Sequence, residues 1–158
     1  MRYEINNQLM LEFTDEVLDD FNKYRQIGER KESGGILLGM VFDKKIVIDQ
    51  ISTPSLRDKA SKFFFIRNVK RAQKVVDNAW ARSNGTRIYL GEWHTHPILN
   101  PFPSNDDKTL ITNMLRYSKM EIDFLFLVIV GLGEKDFYVG YQKRELLREL
   151  KVFTSNYE

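Results

Sequence analysis

The chain contains two histidines, His94 and His96, and both stand at the end of a run from Thr86 that Pro97 terminates. This junction leaves little choice of local structure. Proline has no N–H for a ladder and fixes its own φ, so the run ends as a strand and gives way to a loop through Pro97, Pro101 and Pro103. Side chains two apart on a strand share a face, so both imidazoles point the same way. The segment Ser104-Asn105-Asp106-Asp107 is then a capping sequence of the S-x-x-[DE] kind and starts a helix. Strand, broken loop and capped helix follow in series, with two imidazoles at one junction and carboxylates at the next.

The rest of the chain supplies elements to pack around that junction. Leu9 to Phe13 reads as a strand. Thr14 reads as the N-cap of a helix whose stripe is Val17, Leu18, Phe21 and Tyr24, with Gly28 as its stop. Gly34 to Phe42 and Lys45 to Ile51 form an antiparallel hairpin through Asp43-Lys44. Ser52 to Ala60 is a loop, and Phe63 to Ile66 a short strand or flap. Asn68 to Arg82 carries Val69, Ala72, Val76, Ala79 and Trp80 at helical spacing before Gly85. Leu110, Ile111, Met114, Leu115 and Tyr117 extend the helix that Ser104 opens. Phe124 to Val130 is continuously apolar, as a central strand covered on both faces must be, and Phe137 to Tyr141 is another strand. In the tail, Arg144 to Phe153, the spacing of Leu146, Leu147 and Leu150 favours a helix over a strand. The expected class is α/β: a mixed sheet flanked by two or three helices, in one domain spanning 1–158.

Composition excludes several functions. The 24 basic and 22 acidic residues leave a net charge of +2, which gives no electrostatic case for nucleic acid. There is no cysteine, which removes disulfides, thiolate metal sites and cysteine nucleophiles and suits a reducing compartment. Met1 to Ile5 has no secretory character, and the run Phe124–Val130 is far short of the ~20 residues that span a bilayer. The expectation is a cytoplasmic protein without membrane or nucleic-acid partners.

Two imidazoles on one face, joined by a carboxylate from the next element, make three corners of a tetrahedron with the fourth open to water. Catalytic zinc sites have this form. Alone, H-x-H describes equally well one buried and one exposed histidine; the helix start that follows sharpens it. Asp106 and Asp107 differ in direction by about 100°. Asp107 is three residues past Ser104 and shares its face, which favours His94, His96 and Asp107 as ligands. Ser104 is either a plain N-cap or also a donor to a developing oxyanion. A hydrolase also needs a base within ~3 Å of the water. Glu29 reads as solvated. Glu92 lies on the histidines' strand face, and Glu32 opens the strand Gly34–Phe42; the residues alone leave the choice between these two open.

The succession Glu32-Ser33-Gly34-Gly35-Ile36-Leu37-Leu38-Gly39, then His94-Thr95-His96-Pro97, six residues, Ser104, two residues and Asp107, closely resembles the JAMM signature of the JAB/MPN-type metalloproteases. The resemblance implies one Zn²⁺ per chain on His94, His96 and Asp107, Glu32 as general acid/base and Ser104 as oxyanion helper. It also implies a cytidine-deaminase-like mixed sheet, and cleavage of isopeptide or peptide bonds after the tail of a ubiquitin-like protein. The phrase Tyr89 to Pro97, with Pro54, Asp58, Phe65 and Arg67, is similar to the bacterial JAB subgroup encoded beside ubiquitin-activating and conjugating enzymes in anti-phage (CBASS) operons. Those enzymes free a cGAS-like nucleotidyltransferase from whatever its C-terminus is joined to. The implied partner is a protein with an extended C-terminal tail. Such a tail could add a strand beside Ser52–Arg67, a segment with Arg57, Lys59, Lys62, Arg67 and Phe63–Phe65, unless that segment is an ordinary surface flap. The alternatives are processing of sulfur carriers or other ubiquitin-like proteins, and a non-catalytic MPN scaffold. A deaminase is disfavoured because those use cysteine ligands.

Overall fold

In a computed structural model, which describes residues 1–144 and 146–155, the apolar runs lie side by side in one sheet. The elements are β1 (Arg2–Asn6), β2 (Leu9–Phe13), α1 (Asp15–Lys23), β3 (Gly34–Val41), β4 (Lys45–Ile51), β5 (Lys59–Ala60), β6 (Phe65–Ile66), α2 (Val69–Arg82), β7 (Ile88–Thr95), α3 (Asn105–Tyr117), β8 (Phe124–Val130), β9 (Phe137–Lys143), β10 (Leu146–Glu149) and β11 (Lys151–Val152). Nine strands form the sheet, in the order β10-β9-β8-β7-β3-β4-β2-β1-β11, while β5 and β6 make a separate small hairpin. The pairs β2/β4 and β7/β8 are parallel and the others antiparallel, so the sheet is mixed. No helix among the described residues is long and apolar enough to cross a membrane.

Helices cover both faces, which explains why the central strands are apolar without alternation. Leu37, Ile46, Ile48, Trp93, Phe126, Val128 and Val130 point to one side and pack on Val17, Leu18 and Phe21 of α1. Their neighbours point to the other side. Ile36 and Leu38 meet Ala72 and Ala79 of α2, and Leu125, Leu127 and Ile129 meet Ile111 of α3. Each helix begins at a side-chain cap, where Thr14, Asn68 and Ser104 accept from Val17, Arg71 and Asp107 N–H groups.

Three parts of the chain differ from the sequence reading, the first being Lys59–Ala60, which leaves the expected loop to pair with Phe65–Ile66. Arg2–Asn6 is a strand, pairing with both β2 and β11. The tail is not helical over its described residues (Glu145 lies outside them): β10 pairs with β9 and β11 with β1. Only Leu150 separates these two strands. Its N–H donates to Val139 O at 2.8 Å, and its side chain enters the α1-side core. One stretch of chain therefore satisfies the backbone at both ends of the sheet, a non-local demand that outweighs three leucines at helical spacing.

The detail that matters most for function is a bulge in β7. Against β3, Gly91 faces Leu37 and Tyr89 faces Leu38, leaving Leu90 as an extra residue. Gly91 takes φ +146°, and a Cβ there would lie 1.9 Å from Phe126 O. The bulge changes the parity of the strand. Leu90 and Trp93, three apart, share the α1 side, while Tyr89, Glu92 and His94 share the α2/α3 side, with Tyr89 Oη donating to Glu92 Oε1 at 2.7 Å. Gly91→Ala combines a left-handed φ with a backbone collision and is expected to lower stability by at least ~2 kcal/mol. Urea unfolding measures it, and a loss below ~0.5 kcal/mol would mean that the bulge relaxes freely.

Candidate metal centre

β7 ends at Thr95, and His96 N–H continues its pairing to Val130 O at 2.9 Å, so strand geometry extends through both histidines. The loop from Pro97 to Pro103 returns the chain to the same rim. Asp136 helps to fix that loop, since its carboxylate accepts from Asn100 N–H at 3.1 and 3.2 Å. The loop delivers the first turn of α3 to the imidazoles. There Ser104 Oγ accepts from Asp107 N–H at 3.1 Å, and Asp107 Oδ2 accepts from Ser104 N–H at 2.8 Å. This capping box satisfies two orphan N–H groups and at the same time aims the Asp107 carboxylate at the strand.

Three potential ligand atoms then converge. His94 Nε2 lies 3.1 Å from His96 Nε2. Asp107 Oδ1 lies 3.2 Å from His94 Nε2, and Oδ2 lies 3.5 Å from His96 Nε2. Around a tetrahedral zinc with bonds of about 2.0–2.1 Å, ligand atoms are about 3.3 Å apart. The three side chains fit such an ion as they stand. Glu32 completes a second grouping, with a carboxylate oxygen and both imidazoles within 4.8 Å of one another. Asp107 presents one oxygen to each ring, Oδ1 to His94 and Oδ2 to His96, at separations close to a tetrahedral edge. This makes Asp107 a candidate third ligand, with Glu32 standing beside the same two imidazoles.

The protonation states agree with this division. Burial pushes the His96 ring below the ordinary imidazole range and His94 lowers it further, leaving it neutral and free to ligate. Burial alone would raise the Asp107 carboxyl, but the hydrogen bond and charge of His94 and the Ser104 contacts hold it at about 2. Burial pushes the Glu32 carboxyl up to about 7, with His94 lowering and Asp107 raising it. Among the described residues no Lys or Arg pairs with Glu32 or Asp107; the groups facing the Asp107 carboxylate are the ring nitrogens of His94 and His96. A carboxylate and a buried carboxyl group beside a neutral ring, with no Lys or Arg paired to them, suit a cation.

Every residue expected at the site is therefore brought together: Glu32, His94, His96, Ser104 and Asp107. The structure also separates Glu92 from Glu32. Glu92 is buried, and its carboxylate takes a forked pair of bonds from Arg67 at 2.7 and 3.0 Å besides the Tyr89 hydroxyl. The Arg67–Glu92 pairing holds the guanidinium above its ordinary range despite burial. Arg67 is thus no free cation of the flap, which the sequence had grouped with Arg57, Lys59 and Lys62. A cleft of about 610 Å³ between α2 and α3 reaches Arg67 and Tyr89 but none of the five site residues.

Contacts that sequence reasoning missed support the site from behind. Gln26 bonds the Thr95 hydroxyl and the Lys62 carbonyl. Phe65 of β6 lies over Gly34, where a Cβ would sit 2.6 Å from its ring, so the flap hairpin rests directly on the start of β3. No local signal marks Gln26, a single amide in a polar connection. The Phe65 contact could be suspected only from the glycine pair that opens β3.

Comparison with known proteins agrees with the fold and the signature. The chain is 37% identical over 133 residues to a protein named CD-NTase/cGAS isopeptidase from Vibrio cholerae serotype O1, covering 84% of this chain and 81% of that one. It is 33% identical over 138 residues to another of that name from Escherichia coli (strain TW11681), covering 86% and 84%. A solution structure of a protein from Desulfitobacterium hafniense superposes with a TM-score of 0.63 over 89% of each chain at 18% identity, which is a likeness of fold. Residues 14–140 match the family described as prokaryotic homologs of the JAB domain. With its mixed sheet, its three helices and that match over most of its length, the chain belongs to the prokaryotic JAB family, whose members are in general zinc-dependent peptidases.

Proposed function

We propose that this protein is a zinc-dependent isopeptidase that frees a cGAS-like nucleotidyltransferase from the amine to which its C-terminal carboxyl is joined, in the cytoplasm of a bacterium defending itself against phage. The carrying observation is the convergence of His94 Nε2, His96 Nε2 and Asp107 at 3.1–3.5 Å beside the buried Glu32. The names of the relatives support the substrate, and the extended tail is inferred from the chemistry, since a folded domain cannot bring its own terminus to a rim otherwise.

His94, His96 and Asp107 would hold one zinc ion. Such an ion supplies Lewis acidity, which makes a water acidic enough to lose its proton near neutral pH and polarises the scissile carbonyl. Glu32 accepts that proton as general base, and the carbonyl carbon takes the hydroxide oxygen. The Ser104 Oγ already accepts from Asp107 N–H, so its own hydrogen remains to be donated to the oxyanion. Glu32 then returns its proton to the leaving amine as the C–N bond breaks, giving a free carboxylate and a free amine. No covalent intermediate with the protein forms.

Glu32→Gln keeps the shape of the base and removes its proton affinity. Cleavage of a nucleotidyltransferase conjugate should fall ~10²-fold or more while zinc content stays at one per chain. Near wild-type turnover would transfer the base role to another group. Asp107→Asn should lose zinc as well as activity, because a neutral amide replaces the anionic ligand. Wild-type protein stripped with a chelator should be inactive and regain activity when Zn²⁺ is restored. Cleavage by metal-free protein, checked by elemental analysis, would refute the assignment.

A further inference from the structure

Thr95 stands between the two histidines and points to the opposite side of the sheet, where it is fully buried. Its Oγ accepts from Ser33 N–H at 3.0 Å, and its own N–H donates to Ser33 O at 2.9 Å. With its lone pairs facing Ser33, the Thr95 hydroxyl donates its hydrogen to Gln26 Oε1 at 3.2 Å. Gln26, 1% exposed, lies in the connection after α1 and spends the other end of its amide on the flap, where Nε2 donates to Lys62 O at 2.7 Å. Both ends of the amide demand the same orientation: a hydroxyl hydrogen needs an acceptor and a carbonyl needs a donor. Next to it, Glu32 N–H donates to Ser61 O at 2.7 Å. Consecutive flap carbonyls, those of Ser61 and Lys62, are therefore tied to the residue beside the metal centre and to the strand that carries the imidazoles. The hairpin β5/β6 shares no ladder with the main sheet, so such point contacts set where it lies.

We propose that Gln26 is a positioning residue that locks the flap to the histidine strand, fixing the line along which a substrate tail approaches the metal. This rests on the peptidase reading above. Gln26 touches neither the ligand side chains nor the reacting atoms, and it acts through Lys62 and Thr95. A tail laid along a flap held this way arrives in register with the open corner. With the flap released the tail still binds, but its scissile carbonyl is misplaced, a displacement that can cost ~10²-fold in rate. A substrate too short to touch the flap does not depend on the lock.

The test compares two probes joined through their terminal carboxyl to a fluorescent lysine peptide. One carries about ten residues of a nucleotidyltransferase C-terminal tail, enough at ~3.3 Å per residue to lie along the flap; the other carries only the last two. Gln26→Glu keeps the length and an acceptor for Thr95 but sets an oxygen against the Lys62 carbonyl. Gln26→Met keeps the length and removes both bonds. Each variant that folds, by circular dichroism, with one zinc per chain should cleave the long probe at least tenfold more slowly in kcat, with KM changed less than about threefold. The same variant should cleave the short probe within about threefold of wild type. Equal slowing of both probes, or slowing of neither, overturns the proposal. So does failure of both variants to fold with full zinc content, which would make Gln26 a core residue only. If the wild-type protein cleaves neither probe, the peptidase reading itself fails, a result distinct from any of these.

Discussion

The side of the sheet to which β7 directs each side chain governs everything else in this molecule. A strand alternates strictly, so its apolar and functional residues must fall in one phase along its whole length. β7 needs two phases. Its first half places Ile88 and Leu90 toward α1 and its second half places Trp93 there, and an even spacing cannot join 90 to 93. The extra residue at Leu90, made possible by Gly91 at φ +146°, resolves the conflict. It allows Tyr89 and Glu92 to meet on the α2/α3 side and puts His94 on that side also, while the Trp93 ring stays inside with its indole N–H on Ser52 O at 2.9 Å. Bulges near active sites re-aim side chains in this way; here the re-aimed residue is His94, three positions on.

The second element of the site depends on the first turn of α3. A helix N-terminus has unpaired N–H groups and a partial positive charge, which an aspartate relieves. Asp107 therefore satisfies the helix with Oδ2 and faces the imidazoles with both oxygens, and burial does not protonate it. The interaction that starts α3 also orients its ligand. Little separate energy is needed to hold the carboxylate near the histidines, because the fold has already placed it there for its own reasons.

That economy explains why so much was readable in advance. The S-x-x-D spacing and the H-x-H-P junction are local, and local rules of capping, proline and period apply to them without knowledge of the rest. The continuous apolar strands β3 and β8, and the helices α1, α2 and α3, followed from period and caps for the same reason. What escaped was non-local. Arg2–Asn6 and the tail strands exist because each completes a ladder edge presented by a distant part of the chain, and no pattern within them says so. The choice between Glu32 and Glu92 lay open to residue-level reasoning because both are acidic and both lie near a strand end; only the position of Arg67, which closes the flap 25 residues before Glu92, distinguishes them. Even the parity of β7 was legible only in part, since the shared face of Glu92 and His94 follows from spacing but the approach of Tyr89 requires the bulge.

The contrast between those two glutamates carries the last step. Both are buried carboxylates, and burying such a group without a partner is costly. Glu92 is given a guanidinium in a forked, bidentate contact, the strongest arrangement available to it. Its oxygens are occupied by Arg67 and by the Tyr89 hydroxyl. Glu32 is given no such partner; burial raises its carboxyl to about 7, with His94 opposing the rise and Asp107 adding to it. The same rise that makes Glu32 a poor ion-pair partner makes it a useful base near neutral pH. A cation between the imidazoles would draw that value down and favour the open carboxylate, while the departing amine would restore demand for its proton. One glutamate anchors the flap's exit into α2 through Arg67, and the other stands beside the imidazoles with no Lys or Arg of the described residues paired to it.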